Sequence, residues 1–268
     1  MDLRTHEIEL SGGVTATVEE TGAGPAFFLL HAGVSDRHMW DPQWAWLGER
    51  FRVLRWDWRG HGDTPHVPGP FSYADDVLRV MDRLGIAQAI FMGCSFGGGI
   101  CLRIALEHPE RVQRLALVAS NLPGFEGGNP PEVQELLSAA DDAVASGDSR
   151  RALALMERLW LVGPGRDPVD VDPGYLARAR ELLARTDRPE NGAECLDGNW
   201  SALGQIASLR VPTLLVVGDE DVPEIRRAAV EMRRLIHGAH YAVIEGAAHL
   251  PNLERSEDFD AVLRAWLD

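Results

Sequence analysis

The apolar positions of this chain fall into two kinds of run that alternate along it. Residues 26–30, 51–56, 89–92, 112–119, 213–217 and 241–244 are short and largely apolar, as strands buried on both faces are. Residues 40–47, 73–84, 100–107, 224–236 and 259–267 instead repeat their apolar positions at helical spacing. The clearest case puts Val77, Leu78, Met81 and Leu84 on one face. Ser72 and Gly85 suit the two caps of that helix, and His108-Pro109 stops the helix over 100–107. At the amino end, 8–10 and 14–19 read as a hairpin turning at Ser11-Gly12-Gly13. Strands and helices in this alternation predict an α/β fold, a mostly parallel central sheet with helices on both faces.

The rhythm breaks at Asn121. Loop chemistry over 123–131 leads into three helical stretches, 132–145, 150–162 and 175–184, with no strand between them. Pro131 and Pro173 stand at first helical positions, and Gly147 and Gly163 at helix ends. The expected division is therefore a discontinuous core, residues 1–121 and 207–268, interrupted by a helical cap or lid over 122–206. A cap there lies over the carboxyl edge of the sheet, where open α/β sheets bind ligands.

Composition narrows the partners. A net charge of −15 on 268 residues lacks the clustered Lys and Arg that nucleic acid or an acidic membrane would need. No apolar run approaches a membrane span, and the charged first ten residues do not read as a signal peptide. The three cysteines, Cys94, Cys101 and Cys195, have no framework or metal-clip spacing, which fits a cytoplasmic setting. No cofactor and no metal is expected, only a small-molecule substrate. The sequence leaves a monomer and a homo-oligomer equally open.

The candidate chemistry centres on Gly93-Cys94-Ser95-Phe96-Gly97, between the strand over 89–92 and the helix that follows. A strand-to-helix turn this sharp strains its apical residue and demands small residues two before and two after it. Ser95 then stands clear of the sheet, with Phe96 N–H at a helix start where an oxyanion would form. A nucleophilic serine needs a base, and the base an orienting acid. His249 lies in a small-residue loop after the last strand, and Asp221 in Gly218-Asp219-Glu220-Asp221 after the strand over 213–217. Asp219 is the rival acid, but it follows the strand so closely that a turn-capping role suits it better. Asp57 and His61 read as braces of their loop, His31 as a structural loop histidine, and Cys94 as a small buried residue.

With these segments in view, the chain resembles the α/β-hydrolase family over nearly its whole length outside the cap. The likeness rests on His31-Ala32-Gly33, on Asp57-Trp58-Arg59-Gly60-His61-Gly62, and on residues 93–98. It rests also on His108-Pro109-Glu110-Arg111-Val112, residues 218–221 and residues 246–254. It implies Ser95 as nucleophile, Asp221 as acid and His249 as base. It also implies two backbone oxyanion donors, Phe96 and Gly33, with Val34 an alternative to Gly33 because Ala32 stands where glycine is commoner. Family members resembling haloalkane dehalogenases or epoxide hydrolases carry Asp at the elbow, so Ser95 points to acyl transfer. Val34, Trp160, Trp200 and Leu250 are candidate substrate contacts. The expected activity is hydrolysis of a carboxylic ester or lactone. Carbon–carbon bond hydrolysis or a perhydrolase reaction could use the same triad, and a non-catalytic small-molecule receptor could share the fold.

Overall fold

In the computed structural model, which describes residues 2–186 and 192–268, the chain opens on a hairpin. β1 (Arg4–Glu9) pairs antiparallel with β2 (Thr15–Thr21) through a tight turn at Ser11–Gly13. Both strands outrun their apolar residues: in β1 only Ile8 is buried, and the backbone ladder carries the rest. β3 (Ala26–Leu30) is buried at all five positions. Then come α1 (Asp41–Leu47), β4 (Arg52–Arg55), β5 (Gly69–Phe71) and α2 (Tyr73–Arg83). Ser72 caps α2 by accepting from Asp75 N at 3.2 Å, and Gly85 closes it with φ of 65°. β6 (Ala89–Cys94), α3 (Phe96–Glu107) and β7 (Val112–Val118) follow.

Beyond β7 the chain leaves the large sheet. α4 (Pro131–Ala145), α5 (Ser149–Met156), a π-helical stretch over Glu157–Val162 and α6 (Pro173–Leu183) precede β8 (Ala193–Cys195). The spacing over 150–162 predicts one regular helix; its last six residues take the wider π geometry instead. The chain returns to the sheet with β9 (Thr213–Gly218), α7 (Pro223–Leu235) and β10 (His240–Ile244). It closes with α8 (Pro251–Glu254) and α9 (Ser256–Leu267).

The eight-stranded sheet has the order β1-β2-β4-β3-β6-β7-β9-β10, and every neighbouring pair from β4 to β10 is parallel. β5 and β8 form a separate parallel pair. The chain leaves β3 toward β4 on one side and returns as β6 on the other. The crevice at the carboxyl ends of β3 and β6 is therefore the topological switch point, the place where such sheets bind ligands. Alternation along β3 divides the core: Phe27 and Leu29 face one apolar layer with Met92 and Leu263, Phe28 and Leu30 the other with Phe91 and Ile104.

The segment through α6 is tied to loops at this same edge by charge. Arg178 pairs with Asp41 at 2.9 Å, and Arg185 with Asp63 at 3.1 Å and with Asp36. Gly62 N donates to Arg185 O at 3.1 Å. Among the described residues, no helix is long and apolar enough to cross a membrane.

Candidate active site

β6 runs straight into α3 with one residue between them, and that residue is Ser95. Its φ of 53° and ψ of −118° lie in a region that side chains rarely adopt. Main-chain bonds hold it there: Ser95 N donates to Val118 O at 2.8 Å, and Gly99 N to Ser95 O at 3.0 Å. The two glycines of the pentapeptide have the steric reason the sequence suggested. A Cβ on Gly97 would lie 2.5 Å from His31 O and 2.6 Å from Leu30 O, and one on Gly93 would meet Gly97 O and Cys101 Sγ. The same crowding lets α3 begin at Phe96, four residues earlier than its apolar spacing indicates; packing overrides the poor helix propensity of three glycines.

His249 reaches this point from the far end of the chain. Its Nδ1 lies 2.9 Å from both Oδ1 and Oδ2 of Asp221. Both residues are buried, 1% and 2% exposed. Asp221 Oδ1 also accepts from Val222 N at 2.7 Å, which fixes the carboxylate. Glu220 N donates to Ala247 O at 3.0 Å, joining the loop of the acid to that of the base. Cys94 Sγ lies 3.6 Å from His249 O, so the His249 loop rests on the residue just before Ser95. Burial pushes the Cys94 thiol well up, which leaves it an inert packing residue. The rival acid Asp219 is spent on its turn, where Oδ1 accepts from Gly246 N at 2.7 Å.

Phe96 is the first residue of α3, and the first amides of a helix have no carbonyl within it. Gly33 faces it: a Cβ on Gly33 would lie 3.8 Å from Phe96 Cβ. Two backbone segments therefore meet beside Ser95, one from the α3 start and one from the β3 end.

A family model of the alpha/beta hydrolase fold matches residues 25–256. The chain belongs to the α/β-hydrolase fold family. It is 30% identical over 248 residues to the pimeloyl-[acyl-carrier protein] methyl ester esterase of Neisseria meningitidis serogroup B, covering 90% of this chain and 92% of that protein. It is 27% identical over 264 residues to 3-oxoadipate enol-lactonase 1 of Acinetobacter baylyi, covering 95% and 94%. The crystal structure of the enol-lactonase from Burkholderia xenovorans superposes with a TM-score of 0.75 at 27% identity, covering 98% of this chain and 99% of that one. These relatives support ester or lactone hydrolysis by a serine hydrolase.

The residues read as substrate contacts in this hydrolase are not alike. Trp160, in the π-helical stretch, has its ring 4.5 Å from that of His249, and its carbonyl accepts from His249 N at 3.2 Å. Val34 is half-buried and packs against the same apolar layer as Trp160. Trp200 lies apart, in a cavity of about 270 Å³ that it shares with Phe96, Gly99, Arg103 and Asn121. Leu250 is fully buried with Trp40 and Leu161 and exposes no surface to a ligand. The sequence pattern missed the π stretch, since its only signal is Gly163 at the end of an otherwise regular helical run.

His31 is the structural histidine the sequence suggested, and it carries a pH consequence. It is fully buried, with Nδ1 2.8 Å from Ala32 O and Nε2 accepting from Trp58 N at 2.9 Å. Burial, reinforced by the neighbouring His61, lowers its pKa to about 3. In the unfolded chain it titrates near ~6.5. A folded value below the unfolded one means that its stabilising contribution is complete above about 6.5 and is lost as pH falls toward about 3. The full loss is on the order of several kcal/mol. The urea midpoint of the protein should therefore fall between pH 6.5 and 4 more steeply than that of His31→Asn, which cannot take up the proton. Equal slopes in the two proteins would contradict the assignment.

Proposed function

We propose that this hydrolase cleaves a small-molecule carboxylic ester or lactone through an acyl-enzyme on Ser95. The observation that carries the reading is the buried Asp221–His249 pair set against the residue before the strained Ser95. With Nδ1 committed to Asp221, Nε2 is the nitrogen left to act as base. Ser95 Oγ attacks the carbonyl carbon as its proton passes to His249 Nε2. Asp221 stabilises the imidazolium that forms. The oxyanion is held by the N–H of Phe96 and the N–H of Gly33, each such donor being worth roughly 2.7–4 kcal/mol in comparable sites. Collapse breaks the carbonyl–oxygen bond to the alcohol, which takes the proton back from His249. Water, activated by the same histidine, then releases the acid and restores Ser95.

Residues 122–206 act as the cap in this reading, with Trp160 and Val34 facing the substrate and Trp200 lining a side cavity. The three free cysteines accord with a cytoplasmic location. The test is a panel of p-nitrophenyl esters of graded acyl length together with simple lactones. Turnover of at least one class by the folded protein, with an initial burst of nitrophenol for the esters, is expected. Folded protein that turns over none of them would contradict the proposal.

A further inference from the structure

The loop over 246–249 that carries His249 lies in no helix or strand, yet three successive peptide units in it are held from outside. The oxygen of the Gly246–Ala247 unit accepts from Arg166 Nη1 at 3.0 Å. The Ala247–Ala248 unit is held at both ends: its oxygen accepts from Glu220 N at 3.0 Å, and its N–H donates to Glu254 Oε2 at 2.7 Å. The Ala248–His249 unit donates its N–H to Trp160 O at 3.2 Å. A peptide unit is planar, so a bond at each end fixes its plane. The last of these planes contains the Cα of His249, the base in the reading above, on which this inference rests.

Two of these outside groups, Arg166 and Glu254, also hold each other. Arg166 Nη2 pairs with Glu254 Oε1 at 2.8 Å, with the side chains 11% and 4% exposed. Arg166 Nε donates to Val162 O at 2.6 Å, at the end of the π-helical stretch that carries Trp160. One planar guanidinium thus joins that stretch, the Gly246 carbonyl and the Glu254 carboxylate, and the carboxylate carries the hold on to Ala248 N. Gly163, with φ of 89°, permits the close approach, since a Cβ there would collide with Glu220 O. Burial raises the Glu254 carboxyl above its ordinary value, while the Ala248 N–H and the Arg166 charge work against that rise. A carboxylate buried this far needs such a partner.

We propose that Glu254, steadied by Arg166, is a positioning residue for the base: it holds the Ala247–Ala248 peptide and with it the backbone from which the His249 imidazole projects. The bonds of the pair go to main-chain groups and to each other, so it acts on the imidazole only through the loop. A misplacement of about 1 Å at a reacting group can cost about 10²-fold in rate. Removing Glu254 leaves Glu220 N and Trp160 O in place, so the loss should be a part of that, about tenfold. His249 serves both the formation and the release of the acyl-enzyme. Both steps slow together, and the loss falls on kcat and not on KM.

The test compares the wild type with Glu254→Ala and Glu254→Gln, whose amide oxygen can again accept from Ala248 N. kcat and KM are measured on a p-nitrophenyl ester and the melting midpoint by circular dichroism. NMR follows solvent exchange of the His249 Nδ1 proton, which is bonded to Asp221 at 2.9 Å. Glu254→Ala should lose about tenfold in kcat with KM within about twofold, and the Nδ1 proton should exchange faster. Glu254→Gln should recover most of both while melting lower than the wild type, because Arg166 loses its counter-charge. Where Glu254→Ala does not fold, the double variant Arg166→Met, Glu254→Ala leaves no buried charge unpaired and takes its place, with the same expected loss. Unchanged kcat and unchanged exchange in the alanine variant would overturn the proposal. So would a glutamine variant as impaired as alanine with the melting midpoint falling in step, the pattern of an ion pair that serves folding alone. A wild type that hydrolyses no ester would fail the reading of the site, while exchange of the Nδ1 proton would still decide whether Glu254 steadies the imidazole.

Discussion

Ser95→Ala should lose about 10⁵–10⁶ in kcat on any substrate the wild type turns over, the scale at which removal of a triad nucleophile leaves only binding and the oxyanion hole. The fold should survive the change. The bonds that hold the elbow, Ser95 N to Val118 O and Gly99 N to Ser95 O, belong to the main chain. Alanine also tolerates positive φ nearby: Ala119, in the adjoining turn, has φ of 43°. The melting midpoint should stay within about 3 °C, the shift expected for ~1 kcal/mol in a domain of this size. A Ser95→Ala protein that keeps even a tenth of wild-type activity would place the nucleophile elsewhere.

Asp221→Asn should lose about 10⁴ in kcat. The aspartate accepts from His249 Nδ1 with both oxygens at 2.9 Å, which places the proton on Nδ1 and leaves Nε2 as base. An asparagine that turns its NH₂ to the ring reverses this. Nδ1 becomes the acceptor, Nε2 carries the proton, and the histidine cannot take one from Ser95. The Val222 N bond to Oδ1 persists with an amide oxygen, so folding is expected to be intact. Steady-state kinetics on a p-nitrophenyl ester, with circular dichroism as control, check the prediction. A loss of less than tenfold in a folded variant would mean that Asp221 does not set the tautomer.

How much of this was legible in the sequence follows from what each signal depends on. β3, β6 and β9 are buried on both faces, so burial itself writes a continuous apolar run that needs no structural context. Ser95, Asp221 and His249 follow strand ends in short loops, where chain order and spacing are enough to bring them to one edge. β1 extends beyond its apolar pattern because a single residue of it, Ile8, faces the core. β5 and β8, Gly-Pro-Phe and Ala-Glu-Cys, owe their strand form to each other across more than a hundred residues, and neither segment carries the pattern alone.

The missing parts of the site have the same origin. The π-helical stretch that places Trp160 beside His249 differs from α-helix by the register of its hydrogen bonds, which apolar spacing does not encode. The start of α3 at Phe96 is marked by the elbow and not by apolar spacing: of the three glycines that follow, Gly97 answers to the backbone at the end of β3, Gly98 to Ser120 and Gly99 to Asn121. His61 read as a brace of its own loop because its second contact, Gly33 O, belongs to another loop.

The central claim, an activated serine at the elbow, is tested most directly by a fluorophosphonate probe followed by intact-protein and peptide mass analysis. A single adduct on the peptide containing Ser95, absent from Ser95→Ala, is the predicted result. A folded wild type that takes no adduct, or takes it on another residue, would contradict the account.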